Sequence, residues 1–189
     1  MSLDQFNFLL LLMAITGLVV FVSLYFVEAG YGKMISDKWG PAINNKVAWV
    51  IMECPVFFVM LYLWAMSERT FEVAPLAMFL IFQTHYFQRS FIFPCILKGK
   101  SKMPIAIMMM GFIFNMVNGA IQGYWIFYLS PAEMYTPDWL RTPQFIIGTC
   151  IFFIGFIINL HSDHVIRHLR KPGDTKHYIP KGGMFRYVS

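Results

Sequence analysis

Residues 103–129 read MPIAIMMMGFIFNMVNGAIQGYWIFYL, a run without a single charged side chain. A helix that crosses a bilayer needs about 20 mostly apolar residues, and this run exceeds that length. Four further runs follow the same rule. Residues 8–27 are uncharged, 47–66 contain only Glu53, 73–97 contain His85 and Arg89, and 144–160 are uncharged but short. Strands of a membrane barrel are shorter and alternate in polarity, which these runs do not. In hydrocarbon every backbone N–H and C=O needs an internal partner, so the runs are expected to be helices. The expectation is an all-α, polytopic membrane helix bundle with five spans in a single domain, residues 1–189.

Composition agrees. The 189 residues are 58% apolar and 13% charged, whereas a soluble domain has about 45–50% and about 25%. A soluble globular domain and a disordered chain are both excluded. The first run is long, has no basic segment before it and no small-residue cleavage site after it, and so reads as a retained span. Cys54, Cys95 and Cys150 lie in apolar runs and are expected to be free thiols.

The net charge of +5 is distributed by connection. Lys33, Lys38 and Lys46 follow span 1; Lys98, Lys100 and Lys102 follow span 3; Arg167, Arg170, Lys171, Lys176, Lys181 and Arg186 follow span 5. The opposite connections hold only Arg69 and Arg141. By the positive-inside rule the N-terminus is expected outside or in a lumen, with the basic segments in the cytoplasm. This corresponds to the endoplasmic reticulum in a eukaryote or the inner membrane in a bacterium. The charge is thus topological, and no nucleic-acid partner is expected.

Polar residues inside spans are costly, on the order of 2.5–3.5 kcal/mol for a charge at the bilayer centre, and mark interior faces. Glu53 shares a helix face with Trp49, four residues earlier. It is either a functional carboxyl or a structural hydrogen bond. Gln83, Tyr86 and Arg89 drift along one face of span 3. Tyr86 could donate to a developing oxyanion, a contribution of about 3–4 kcal/mol for one well-placed donor, or belong to an interfacial belt. Asn115, Asn118 and Gln122 make a polar stripe on span 4, read as glue between helices or as the wall of a wet cavity.

At the end of span 5, Asn159, Asp163, Arg167 and Arg170 form a stripe on a helix expected to continue to Lys171 and end at Pro172-Gly173. Amide, carboxylate and guanidinium in that order suit a ligand with a polar ring, a ribose and a phosphate. Contact with anionic lipid is the other reading. His161, His164 and His168 share a face, but no Cys or Glu accompanies them at tight spacing and no metal site is expected. There is no GxGxxG and no Walker loop.

Residues 159–163, 167–173 and 179–189, together with Gly30-Tyr31-Gly32-Lys33, Trp49 with Glu53, His85-Tyr86-Phe87 with Arg89, and Asn118-Gly119 with Gln122-Gly123-Tyr124, occur in the order found in the steroid 5α-reductases. The chain resembles that family over nearly its whole length. The resemblance implies a seven-span enzyme, of which this chain supplies five spans and stops before the next signature, so a C-terminal part is expected to be missing. It implies NADPH as cofactor and a 3-oxo-Δ4 steroid as substrate, with membrane lipid as surroundings. Tyr86 and a protonated Glu53 resemble the catalytic pair that holds the carbonyl oxygen. Tyr31, Trp49, Arg89 and Phe114 match substrate-side positions. Asn159, Asp163, Arg167, Arg170, Lys98, Lys100 and Tyr178 match cofactor-side positions. Met52 stands where the family often has Gln. The alternatives are a reductase of another lipid double bond, such as a polyprenol or enoyl thioester, and a non-catalytic protein that binds sterol or lipid.

Overall fold

The computed structural model describes residues 1–27, 30, 35–99, 101–170 and 178–188, the side chain of Asp37 excepted. Tyr31, Lys33, Lys100, Lys171, Pro172, Gly173, Lys176 and His177 lie outside the described residues. The chain divides into two compact units, Met1–Thr136 and Pro137–Ser189.

In the first unit, α1 (Leu3–Ser23) opens with a reciprocal cap: Ser2 accepts from the Gln5 amide and the Gln5 side chain accepts from the Ser2 amide. Only Phe6 of α1 is buried, stacked on Trp125 at 5.7 Å. The rest of α1 presents an apolar surface, as a lipid-facing helix must. Two short strands that the sequence reading did not anticipate follow the basic connections. β1 (Ala42–Asn44) pairs antiparallel with β2 (Lys102–Pro104), with Ile43 opposite Met103. Each strand leads directly into a long helix, α2 (Asn45–Ala65) and α5 (Ile105–Tyr124). Asn44 caps α2 by accepting from the Lys46 amide at 2.9 Å. α2 and α5 run side by side in the same direction: Gly111, Gly119 and Gly123 of α5 face Met52, Val56 and Leu63 of α2 in turn.

The two helices approach closely because α5 presents glycines to α2 at every fourth or eighth residue. A Cβ at Gly111 would collide with the Met52 side chain. One at Gly119 would meet the Val56 carbonyl oxygen at 3.1 Å, and one at Gly123 would meet Leu63 at 2.7 Å. Small residues let helix backbones close up where lipid offers no hydrophobic drive for association. Below this seam Met60, Leu63, Phe79, Ile126 and Phe127 form a core, with Trp64 stacked on Phe79 at 4.5 Å. Pro55 lies inside α2 and deprives the Ile51 carbonyl of its helical donor. The Cys54 thiol reaches that carbonyl at 3.8 Å.

The third expected span departs from a plain helix. α3 (Val73–Phe87) passes into a π-helical turn, Gln88–Ile92, and then a short α4 (Phe93–Ile96). It is not among the four helices of the described residues that are long and apolar enough to cross a membrane. Those are Leu3–Ser23, Asn45–Ala65, Ile105–Leu129 and Pro143–His168. A second π-helical turn, Trp125–Leu129, ends the α5 run. It is tied down by Arg69, which donates to the Ile126 carbonyl at 3.1 Å and to Ser130 Oγ at 2.8 Å while pairing with Glu72 at 2.8 Å.

In the second unit, a 3₁₀ turn at Pro137–Arg141 leads to α6 (Pro143–His168), capped by Thr142 and started by Pro143. α6 ends at His168, three residues before the expected Lys171, so Arg170 lies beyond the helix. The tail returns along α6 and closes with α7 (Phe185–Val188). Gly182 packs on Val165, and Gly183, at φ 60°, leaves no room for a Cβ against the His161 ring. The architecture is an all-α membrane bundle, as expected, with one small strand pair added.

Candidate functional site

Two clusters carry the polar residues singled out above, one in each unit. In the first unit, three elements converge. α2 supplies Glu53 and Trp49, α3 and its π-helical turn supply Tyr86 and Arg89, and α5 supplies Asn115 and Asn118. Glu53 is largely buried. Its Oε2 accepts from Asn115 Nδ2 at 3.4 Å, and the same amide donates to the Met52 carbonyl at 2.9 Å. Glu53 Oε1 lies 3.9 Å from Arg89 Nε, an ion pair longer than a hydrogen bond. The Tyr86 hydroxyl accepts from Asn118 Nδ2 at 2.9 Å. Asn115 and Asn118 are three residues apart on α5, hence neighbours on one face. One helix face thus grips the acid of α2 and the phenol of α3.

Arg89 is fixed by stacking. Its guanidinium carbon lies 4.4 Å from the Trp49 ring and 4.3 Å from the Phe93 ring, and those rings meet edge to face at 5.1 Å. Such contacts are worth about 0.5–2 kcal/mol depending on desolvation. Arg89, expected on the substrate side, is therefore also the neighbour that sets the potential at Glu53. The pitch change at 88–92 brings Arg89 to this place. Turns of this kind recur at functional sites. Inside it Gln88 Oε1 and Ser90 Oγ are buried and have no hydrogen-bond partner among the described residues.

The structure does not draw every expected residue in. Phe114 is exposed on α5 while Asn115 beside it is buried, and Gln122 at the end of the stripe is exposed. Lys98 is exposed after α4; Tyr31 and Lys100 lie outside the described residues. Met52 fills the space above Gly111. What the sequence reading missed is the part played by Asn115 and Asn118. Their i, i+3 spacing was a signal of a shared face, but their partners sit on other helices.

In the second unit, Asn159, Asp163 and Arg167 lie on the less exposed face of α6, as the spacing predicts. Arg167 Nε donates to the Asp163 carbonyl at 3.2 Å. Asn159 Oδ1 is buried and has no partner among the described residues, so it is an acceptor that a ligand could use. Arg170 is exposed beyond the helix and Tyr178 is partly exposed in the returning tail. Among the described residues no group of three His, Cys, Asp or Glu is arranged to hold a metal ion.

Comparison with known proteins gives one family. The family described as 3-oxo-5-alpha-steroid 4-dehydrogenase matches residues 101–189. The cattle (Bos taurus) protein 3-oxo-5-alpha-steroid 4-dehydrogenase 1 is 37% identical over 177 residues, covering 92% of this chain and 68% of its own. The mouse (Mus musculus) protein of the same name is 34% identical over 194 residues, covering 100% and 75%. Steroid 5-alpha-reductase DET2 of Arabidopsis thaliana is 34% identical over 191 residues, covering 97% and 72%. Identity at this level over 92–100% of the chain makes it a member of the steroid 5α-reductase (3-oxo-5α-steroid 4-dehydrogenase) family.

Proposed function

We propose that this protein is an NADPH-dependent reductase of the C4–C5 double bond of 3-oxo-Δ4 steroids, with the carbonyl oxygen held by Tyr86 and Glu53. The observation that carries this is the pair of side chains from α2 and α3 fixed by adjacent asparagines of α5. As the β carbon (C5) of an enone is reduced, the π electrons move through C4 and C3 and negative charge collects on the carbonyl oxygen. Donors aimed at that oxygen bind it more strongly as the charge grows, which lowers the barrier. Tyr86 supplies one donor. Asn115 occupies Glu53 Oε2, so a proton on Oε1 makes the carboxyl the second. Arg89, held by Trp49 and Phe93, adds positive potential beside them. A proton from the medium then completes the α carbon (C4).

When bound, NADPH supplies the hydride equivalent and leaves as NADP⁺. The second unit suits such a ligand. Asn159 offers an unsatisfied acceptor, and Arg167 and Arg170 offer forked donors for phosphate. Asp163, Lys98, Lys100 and Tyr178 are assigned to the same cofactor side by the family pattern. We place the basic segments in the cytoplasm. Pairing of β1 with β2 supports this, because it brings two of the three basic connections to one end of the bundle.

The test is an absorbance assay at the nicotinamide band, with the protein in lipid nanodiscs, NADPH, and a panel of steroid and non-steroid enones. Consumption is expected with 3-oxo-Δ4 steroids. Consumption only with non-steroid lipids, or none at all, contradicts the proposal. A second expectation concerns the tail: Arg170→Ala weakens NADPH about tenfold, the scale of one lost phosphate contact, and leaves the steroid KM unchanged. Fluorescence titration of NADPH checks this. An unchanged cofactor Kd would make Arg170 a lipid contact.

A further inference from the structure

We infer that Asn118 is a positioning residue for the reaction: by donating to the Tyr86 oxygen it turns the phenol's own proton away from α5 and toward the substrate ketone. The inference rests on the role proposed for Tyr86. A phenol has one proton to donate and lone pairs with which to accept. Left alone in an apolar span, its O–H rotates and bonds whichever acceptor is nearest. Here Asn118 Nδ2 stands 2.9 Å from the oxygen and fills an acceptor position, so the proton cannot be spent on that neighbour. The ring is fixed as well, packed against Phe82 at 4.6 Å and His85 at 4.9 Å. Donation into the oxygen also polarises the O–H bond, so the two hydrogen bonds strengthen each other.

Asn118 is held in turn. It lies one residue before Gly119, whose contact with the Val56 backbone fixes α5 against α2. It lies three residues after Asn115, which binds Met52 and Glu53. The amide therefore does not touch the reacting atoms. It sets which way one of their donors points, and its loss should act on turnover and not on steroid affinity.

The experiment is a double-mutant cycle on the full protein in nanodiscs, with kcat and steroid KM measured separately. Asn118→Leu, similar in volume and without a donor, is expected to lower kcat about tenfold, the scale of one hydrogen bond to a working group, with KM within about twofold. In a Tyr86→Phe background it is expected to cost nothing further, because there is no hydroxyl left to orient. Asn118→Gln, which keeps the donor, is expected to recover part of the loss. Thermal unfolding of each variant, with Asn118→Ala in reserve if Asn118→Leu does not fold, separates lost orientation from lost structure. Equal losses in both backgrounds would overturn the inference, as would full kcat in Asn118→Leu beside an impaired Tyr86→Phe. Full activity of Tyr86→Phe would instead remove the reading on which the inference rests.

Discussion

Tyr86→Phe is expected to lower kcat about a hundred- to a thousandfold, the range for removing one donor from a developing oxyanion, and to leave the fold intact. The substitution removes only the hydroxyl. The ring remains packed on Phe82 and His85, and Asn118 loses a partner at 2.9 Å. Because the donor acts as charge builds, the loss falls on kcat more than on KM. Glu53→Gln is expected to act in the same direction, about a hundredfold, because an amide is a weaker donor than a carboxylic acid. Steady-state kinetics with a 3-oxo-Δ4 steroid, alongside thermal unfolding, checks both. Turnover like that of the wild type in either variant removes that residue from the chemistry.

The second large effect is structural. Gly119→Val should destabilise the protein by about 1–3 kcal/mol or more, as overpacking of a closed interface does. A Cβ there meets the Val56 carbonyl oxygen at 3.1 Å and its Cα at 3.2 Å, and backbone cannot swing aside as a side chain can. The helices must separate, and with them Glu53 and Asn115 on opposite sides of the seam. Turnover should therefore fall together with stability, which distinguishes this variant from Tyr86→Phe. Gly155→Ala on α6, where nothing lies within 4 Å of the new Cβ, is the matched control and should be neutral or slightly stabilising. Melting curves in the same detergent compare the two. Equal melting temperatures would mean that the α2–α5 contact is looser than described.

Much of this architecture is written in local sequence. Uncharged runs must be helices in lipid, so four of the long helices follow from hydropathy alone. Glu53 and Tyr86 stand out because a polar group in such a run needs a partner. Other features depend on partners distant in sequence. The strand pair joins residues 42–44 to 102–104, and neither triplet alternates in a way that marks a strand. The π-helical turn at 88–92 carries no proline or glycine to announce it. The end of α6 at His168 precedes the Pro172-Gly173 signal because helices can stop before the residues that forbid them. Asn115 and Asn118 read as generic interhelical glue until the acceptors on α2 and α3 are in view.

We propose that one ketone oxygen is gripped by the phenol of Tyr86 and the acid of Glu53. The most direct measurement is the infrared stretch of a 3-oxo-Δ4 steroid labelled with ¹³C at the carbonyl and bound to the protein. A band below its position in water is expected, shifted back upward by Tyr86→Phe and by Glu53→Gln, and unmoved by Arg170→Ala. A band at the same position in the wild type and Tyr86→Phe, with the steroid bound in both, would contradict it.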